Sequence, residues 1–248
     1  ENNFFVKMDA SKVETEGIVP FGGRPSATEF PAPVDWDETQ LTVTGGYAED
    51  KFSASLTGQF IDFDNSDDAI TRTVGTSTDI SSLPPDNEVS KVKAKILMRP
   101  DTWSSMILVT ATYSRVTNDI TLSDITPAET RDFDGEVTKG QLAASWNFVP
   151  IEDLDVRLSA KYDDRDNDST EIVTSDGNEN DPYDSDTVAT GINLNYSLAH
   201  HTRLEANYDF RSSDYSGRSD SDGMDDHAIS FQVRNQSIED IELPARYG

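Results

Sequence analysis

The chain has 248 residues, 27% of them charged and 35% apolar, with a formal net charge of −27. That acidic balance argues against nucleic-acid binding, which wants a basic face. The absence of cysteine excludes disulfides, thiolate metal sites and the C-x-x-C-H attachment of c-type haem. There is no run of about 18 apolar residues, which excludes a membrane-spanning helix. A β-barrel stays open, because its strands turn only every second residue to lipid.

The predicted elements are strands, read from period-two alternation. A weak segment (Phe4, Val6, Met8) opens the chain. Leu41, Val43, Gly45 and Tyr47 then alternate with Thr42, Thr44 and Gly46, and Phe52 to Phe60 repeat the pattern against Ser53, Ser55, Thr57 and Gln59. Val92, Ala94, Ile96 and Met98 oppose Lys91, Lys93, Lys95 and Leu97. Trp103 to Tyr113 form a less cleanly two-faced segment. Leu142 to Phe148, Leu154 to Tyr162, Val188 to Leu198, Leu204 to Phe210 and Ile229 to Val233 complete about ten strands.

Alternation alone fits a soluble sandwich as well as a membrane barrel; loop rhythm separates them. Short connections (48–51, 99–102, 149–153, 199–202) alternate with long ones (62–87, 114–136, 164–186, 212–226). Outer-membrane barrels have this asymmetry, with short periplasmic turns and long extracellular loops. Aromatics form two groups: Tyr47, Phe52, Trp103, Trp146 and Phe148 near the short turns, and Phe60, Tyr113, Tyr162, Tyr208 and Phe210 near the long loops. Two belts at interfacial height suit amphipathic rings at the headgroup level. The expectation is an all-β, antiparallel transmembrane β-barrel with long acidic extracellular loops, one barrel region over residues 1–248. The end at Leu243–Gly248 does not read as a closing strand, so the wall is expected to continue in a larger barrel.

Candidate binding residues are few. Asp176, Asn178, Asn180 and Asp181 are the nearest approach to a Ca²⁺ loop, a hard cation taking several oxygens, but the spacing is not that of an EF-hand and a solvated acidic loop is the plainer reading. Lys91, Lys93 and Lys95, with Arg157, Lys161 and Glu205, are expected to face the lumen. The lysines either meet an acidic partner or anionic solute, or balance Asp155, Glu205 and Asp209 on other strands. His200 and His201 occupy a short turn and read as ordinary polar turn residues. No nucleophile elbow, phosphate loop or H-E-x-x-H is present, so no enzyme is expected.

Several phrases carry a resemblance. Phe30-Pro-Ala-Pro-Val-Asp-Trp-Asp-Glu-Thr-Gln40 leads into a strand, and Phe60-Ile-Asp-Phe-Asp-Asn65 ends a hairpin. Pro85-Asp-Asn87, Asp132-Phe-Asp-Gly-Glu-Val137 and Tyr162-Asp-Asp-Arg-Asp-Asn-Asp-Ser169 follow. In this order they resemble the MtrB/PioB family of decahaem-associated outer-membrane β-barrels. The resemblance implies a barrel of well over twenty strands that sheathes a periplasmic multihaem c-type cytochrome, which meets an extracellular multihaem cytochrome at the far mouth. It implies no cofactor on this chain itself, haem c in the partner, and contact with lipid and lipopolysaccharide. About ten strands cannot enclose a cytochrome, so the chain is expected to be part of such a wall. A porin or solute channel with cation-attracting acidic loops is the alternative. A Ca²⁺-binding surface protein is the third reading.

Overall fold

The protein is described here by a computed structural model covering residues 3–22, 29–67, 69–74, 77–123, 130–173, 179–180, 182–199, 202–218, 220–235 and 245–247. Its strands are β1 (Asn3–Gly22), β2 (Glu29–Ala48), β3 (Phe52–Asn65), β4 (Ala69–Val74), β5 (Ser77–Ser82), β6 (Asp86–Met98), β7 (Met106–Ser123) and β8 (Thr130–Ile151). β9 (Leu154–Asn167), β10 (Ile172–Val173), β11 (Glu179–Asn180), β12 (Asp184–Ala199), β13 (Thr202–Ser216), β14 (Gly223–Asn235) and β15 (Ala245–Tyr247) complete them. One antiparallel sheet holds eleven strands in the order β1-β2-β3-β6-β7-β8-β9-β12-β13-β14-β15. The hairpins β4-β5 and β10-β11 stand apart from it. Neighbours along the chain are neighbours in the sheet, as hairpin connections require. The sheet is open, with β1 and β15 at its edges.

This is a single layer without a core of its own. Among the described residues Val156 is the only buried apolar side chain, with Ser105 and Ser213 the buried polar ones. The chain exposes 17010 Å², against about 11,000 Å² for a compact chain of this size. Leu56, Val92, Leu142, Ile192 and Phe231 are all exposed on one face. Each such side chain gains roughly 1.5–3 kcal/mol when taken out of water, so this face requires an apolar covering. Lipid supplies it in an outer-membrane barrel.

The turn-end belt forms as expected. Phe4 and Tyr47 lie 4.8 Å apart between ring centroids, and Trp146 and Phe148 4.2 Å. Trp103 is not in a strand. It sits in a one-turn 3-10 helix (Thr102–Ser104) with φ of 58°, and its ring reaches Phe148 at 5.6 Å and Trp146 at 6.1 Å.

Three expectations change. The residues 114–136, read as a loop, are largely strand, because β7 continues to Ser123 and β8 begins at Thr130. The opening segment is likewise one arm of a 20-residue strand. The physical reason is that strand pairing continues above the apolar band, where the outward face no longer needs apolar residues. The C-terminal segment also joins the sheet, Ala245 to Tyr247 pairing with Val233 to Phe231.

The apolar band crosses the sheet obliquely. Phe60 registers through Ser90, Arg115 and Thr138 with Asp166, four residues beyond Tyr162. Tyr162 registers through Val188 and Ser212 with Asp225, four residues before Ile229. The upper edge of the band, from Phe60 to Ile229, therefore slips eight residues over seven strand-to-strand steps.

Candidate functional site on the polar face

Residues directly opposite one another in an antiparallel pair share a face, so the register assigns every side chain. Lys91, Lys93 and Lys95 lie opposite Gln59, Thr57 and Ser55 on β3 and opposite Ser114, Thr112 and Thr110 on β7. The three lysines are thus flanked by neutral groups on both sides. Among the described residues none of them has an ion-pair partner. Asp155, Glu205 and Asp209 stand on β9 and β13, at least three strands away, or roughly 14 Å at the spacing of strands. Direct compensation of the ladder by those carboxylates does not occur.

The other three expected residues are on the same face but in different company. Lys161 is paired with Asp163 at 2.7 Å, and Gln141 Nε2 also donates to that carboxylate at 2.7 Å. Arg157 lies opposite Asn147 and Asn193. Glu205 accepts from Asn207 Nδ2 at 3.1 Å, and Asn207 Nδ2 also reaches Ser230 Oγ at 3.1 Å. Asn193 donates to Asn207 within this network. The polar face therefore divides into a basic half around β6 without ion pairs and a half around β12 and β13 crossed by hydrogen-bonded amides.

Sequence reasoning missed part of the basic half. Lys139 shares a register row with Lys91 through Ser114, and Arg165 lies opposite Lys139. Continuing the alternation back from Gln141 would have found Lys139. The glycine at position 140 interrupts the apolar side there, so the alternation reads as starting only at Gln141.

Above the lysines the two faces exchange character. Ile61, Val89, Val116 and Val137 form one row across β3, β6, β7 and β8 on the polar face. Their chain neighbours Asp62, Glu88, Thr117 and Glu136 form the matching row on the opposite face. Lower down the assignment is reversed, with Leu56, Ala94, Ala111 and Leu142 outward and Thr57, Lys93, Thr112 and Gln141 on the polar face. Phe63 and Trp36 extend the upper apolar row with rings 5.5 Å apart. On the outer side Arg115 forks onto Glu136, Nε to Oε1 at 2.6 Å and Nη2 to Oε2 at 2.7 Å.

Asp176, Asn178 and Asp181 lie outside the described residues, as do His200 and His201, and the side chain of Asn180 is likewise outside them. Among the described residues no group of three His, Asp or Glu could hold a metal ion. In the connection before β14, Arg218 chelates Asp220 at 2.8 and 2.6 Å and holds that carboxyl below the usual carboxylate range.

A single-layer antiparallel sheet with an apolar outward band, two aromatic belts and a polar reverse face defines the wall of a bacterial outer-membrane β-barrel. The chain belongs to the family described as "Putative outer membrane beta-barrel porin, MtrB/PioB", which it matches over residues 2–248. No curated protein matches it. Among solved structures it is similar to the copper transporter OprC, at 11% identity and a TM-score of 0.55, over 93% of this chain and 38% of OprC. It is also similar to the siderophore receptor PiuA from Acinetobacter baumannii, at 12% identity and a TM-score of 0.49, over 96% of this chain and 45% of PiuA. The translocator domain of the autotransporter NalP from Neisseria meningitidis matches at 16% identity and a TM-score of 0.38, over 98% and 81% of the two chains. The chain thus spans less than half the length of OprC and PiuA.

Proposed function

We propose that the chain is wall from a non-catalytic outer-membrane barrel that sheathes and positions a multihaem c-type cytochrome for electron transfer across the outer membrane. The observation that carries the reading is the β6 half of the polar face, where lysines without ion pairs stand beneath a partly exposed aliphatic row. A water-filled channel wants a polar interior; this face is suited to being covered by another protein. The haem belongs to that partner, since a chain without cysteine cannot attach haem c. The expected partners are a periplasmic multihaem cytochrome inside the wall, an extracellular multihaem cytochrome at the loop end, and lipid with lipopolysaccharide outside.

The test is purification of the whole barrel from native outer membranes in mild detergent, followed by haem staining. A haem-staining protein at a fixed ratio to the barrel is the expected result. A pure barrel without haem absorption would sink the reading. A solute channel is the second reading, favoured by the Asp- and Asn-rich loops. Discrete conductance steps in planar bilayers from the cytochrome-free barrel would support it.

A further inference from the structure

We infer that the polar face of β3 to β9 is a docking surface for an acidic protein, with the lysines of β6 and Lys139 as its charged field and the row Ile61, Val89, Val116 and Val137 as its apolar strip. The inference rests on the sheath reading and specifies the chemistry of the sheathed surface.

Charge is the first argument. The chain carries 47 acidic residues against 20 Lys and Arg, so an unpaired basic field is contrary to its overall composition. Lys91, Lys93 and Lys95 project side by side along one strand, and like charges so placed repel one another. Nothing within the sheet repays that cost, because their cross-strand neighbours are Gln, Ser and Thr. An acidic surface does, and it would also be steered towards the field.

The apolar strip decides between a protein and a small anion. Val116 retains 39% exposure on the polar face, and a solute anion gains nothing from a valine row. A basic field bordered by an aliphatic row resembles a protein interface, whose apolar centre is rimmed by polar groups. Five strands at about 4.8 Å spacing over some eight residues give roughly 500 Å², more than half of the ≈800 Å² that one partner commonly buries.

The test uses the full-length barrel in native outer membranes carrying K91E/K93E/K95E, with K91R/K93R/K95R as the charge-preserving control. Heat-modifiable mobility in gels verifies that each variant inserts and folds. The readout is the salt concentration that releases the haem-staining partner from the immobilised barrel. A photo-crosslinker at Ser114, between Lys91 and Lys139 in the register, locates the contact. The charge reversal is expected to weaken retention roughly tenfold or more while the arginine variant holds the partner as before. Cross-links from Ser114 should map to an acidic segment of that partner. Unchanged retention by the reversed variant overturns the inference and leaves the sheath reading standing. Cross-links confined to this chain's own acidic loops do the same, as does altered ion selectivity without altered retention. Failure of the wild-type barrel to hold any haem protein removes the sheath reading and the inference with it.

Discussion

Asp153 adopts φ of 68° in the turn between β8 and β9, and the register slips between Phe148 and Ile151 at the same place. Asp tolerates this left-handed region better than most residues, whereas a β-branched side chain does not. Asp153→Val is therefore expected to cost about 1–2 kcal/mol, read as a lower urea midpoint for folding into lipid vesicles. An unchanged midpoint would mean that the turn relaxes freely. Trp103 takes the same kind of conformation with a far larger side chain, and the contacts with Trp146 and Phe148 hold it there. The sequence marked Trp103 as a belt residue, which it is, but placed it in a strand. Stacking of rings from different elements is not visible in a period-two pattern.

At the scale of the strand, position within the apolar band decides the effect of a charge. Leu56 lies midway between Phe52 and Phe60 on the outward face and is 56% exposed. Leu56→Arg is expected to lower folding stability by about 2–4 kcal/mol, while Thr57→Glu on the reverse face, opposite Lys93, costs no more than about 1 kcal/mol. The same vesicle-folding titration checks both, and equal losses would contradict the assignment of faces. The spanning segments were legible because alternation there is enforced from the lipid side. The arms above them were not. In Val116-Thr117 and in Glu136-Val137 the alternation persists with its faces exchanged, and a reading that seeks one continuous apolar side ends the strand at the exchange. The lysine ladder was legible for the same reason that the spanning segments were. Its lack of compensation was not, since that depends on which strands are neighbours.

For the whole molecule, the oblique band fixes an angle. A slip of eight residues in seven steps is about 3.8 Å along the strand for each 4.8 Å across the sheet, a tilt of roughly 38° from the membrane normal. That falls within the 35–45° of outer-membrane barrels. Polarised infrared spectroscopy of the barrel in oriented bilayers should return this tilt. A value near 20° would show that the band does not mark the membrane plane. Both edges of the sheet leave backbone groups that hydrocarbon cannot satisfy, so in the membrane each edge needs a pairing partner.

The exchange of faces also sets how deep the wall floats. Outward residues pass from Phe60 to Asp62 and from Tyr113 to the Arg115–Glu136 fork within one register pair. Sinking by that pair, about 5 Å of vertical travel at the derived tilt, would drag several charges into hydrocarbon at about 2–4 kcal/mol for the basic ones near the midplane and less towards the edge. Stretching or thinning the bilayer costs only fractions of a kcal/mol per Å. The lipid therefore yields first: the wall keeps a fixed waterline, and membranes of different thickness conform to it.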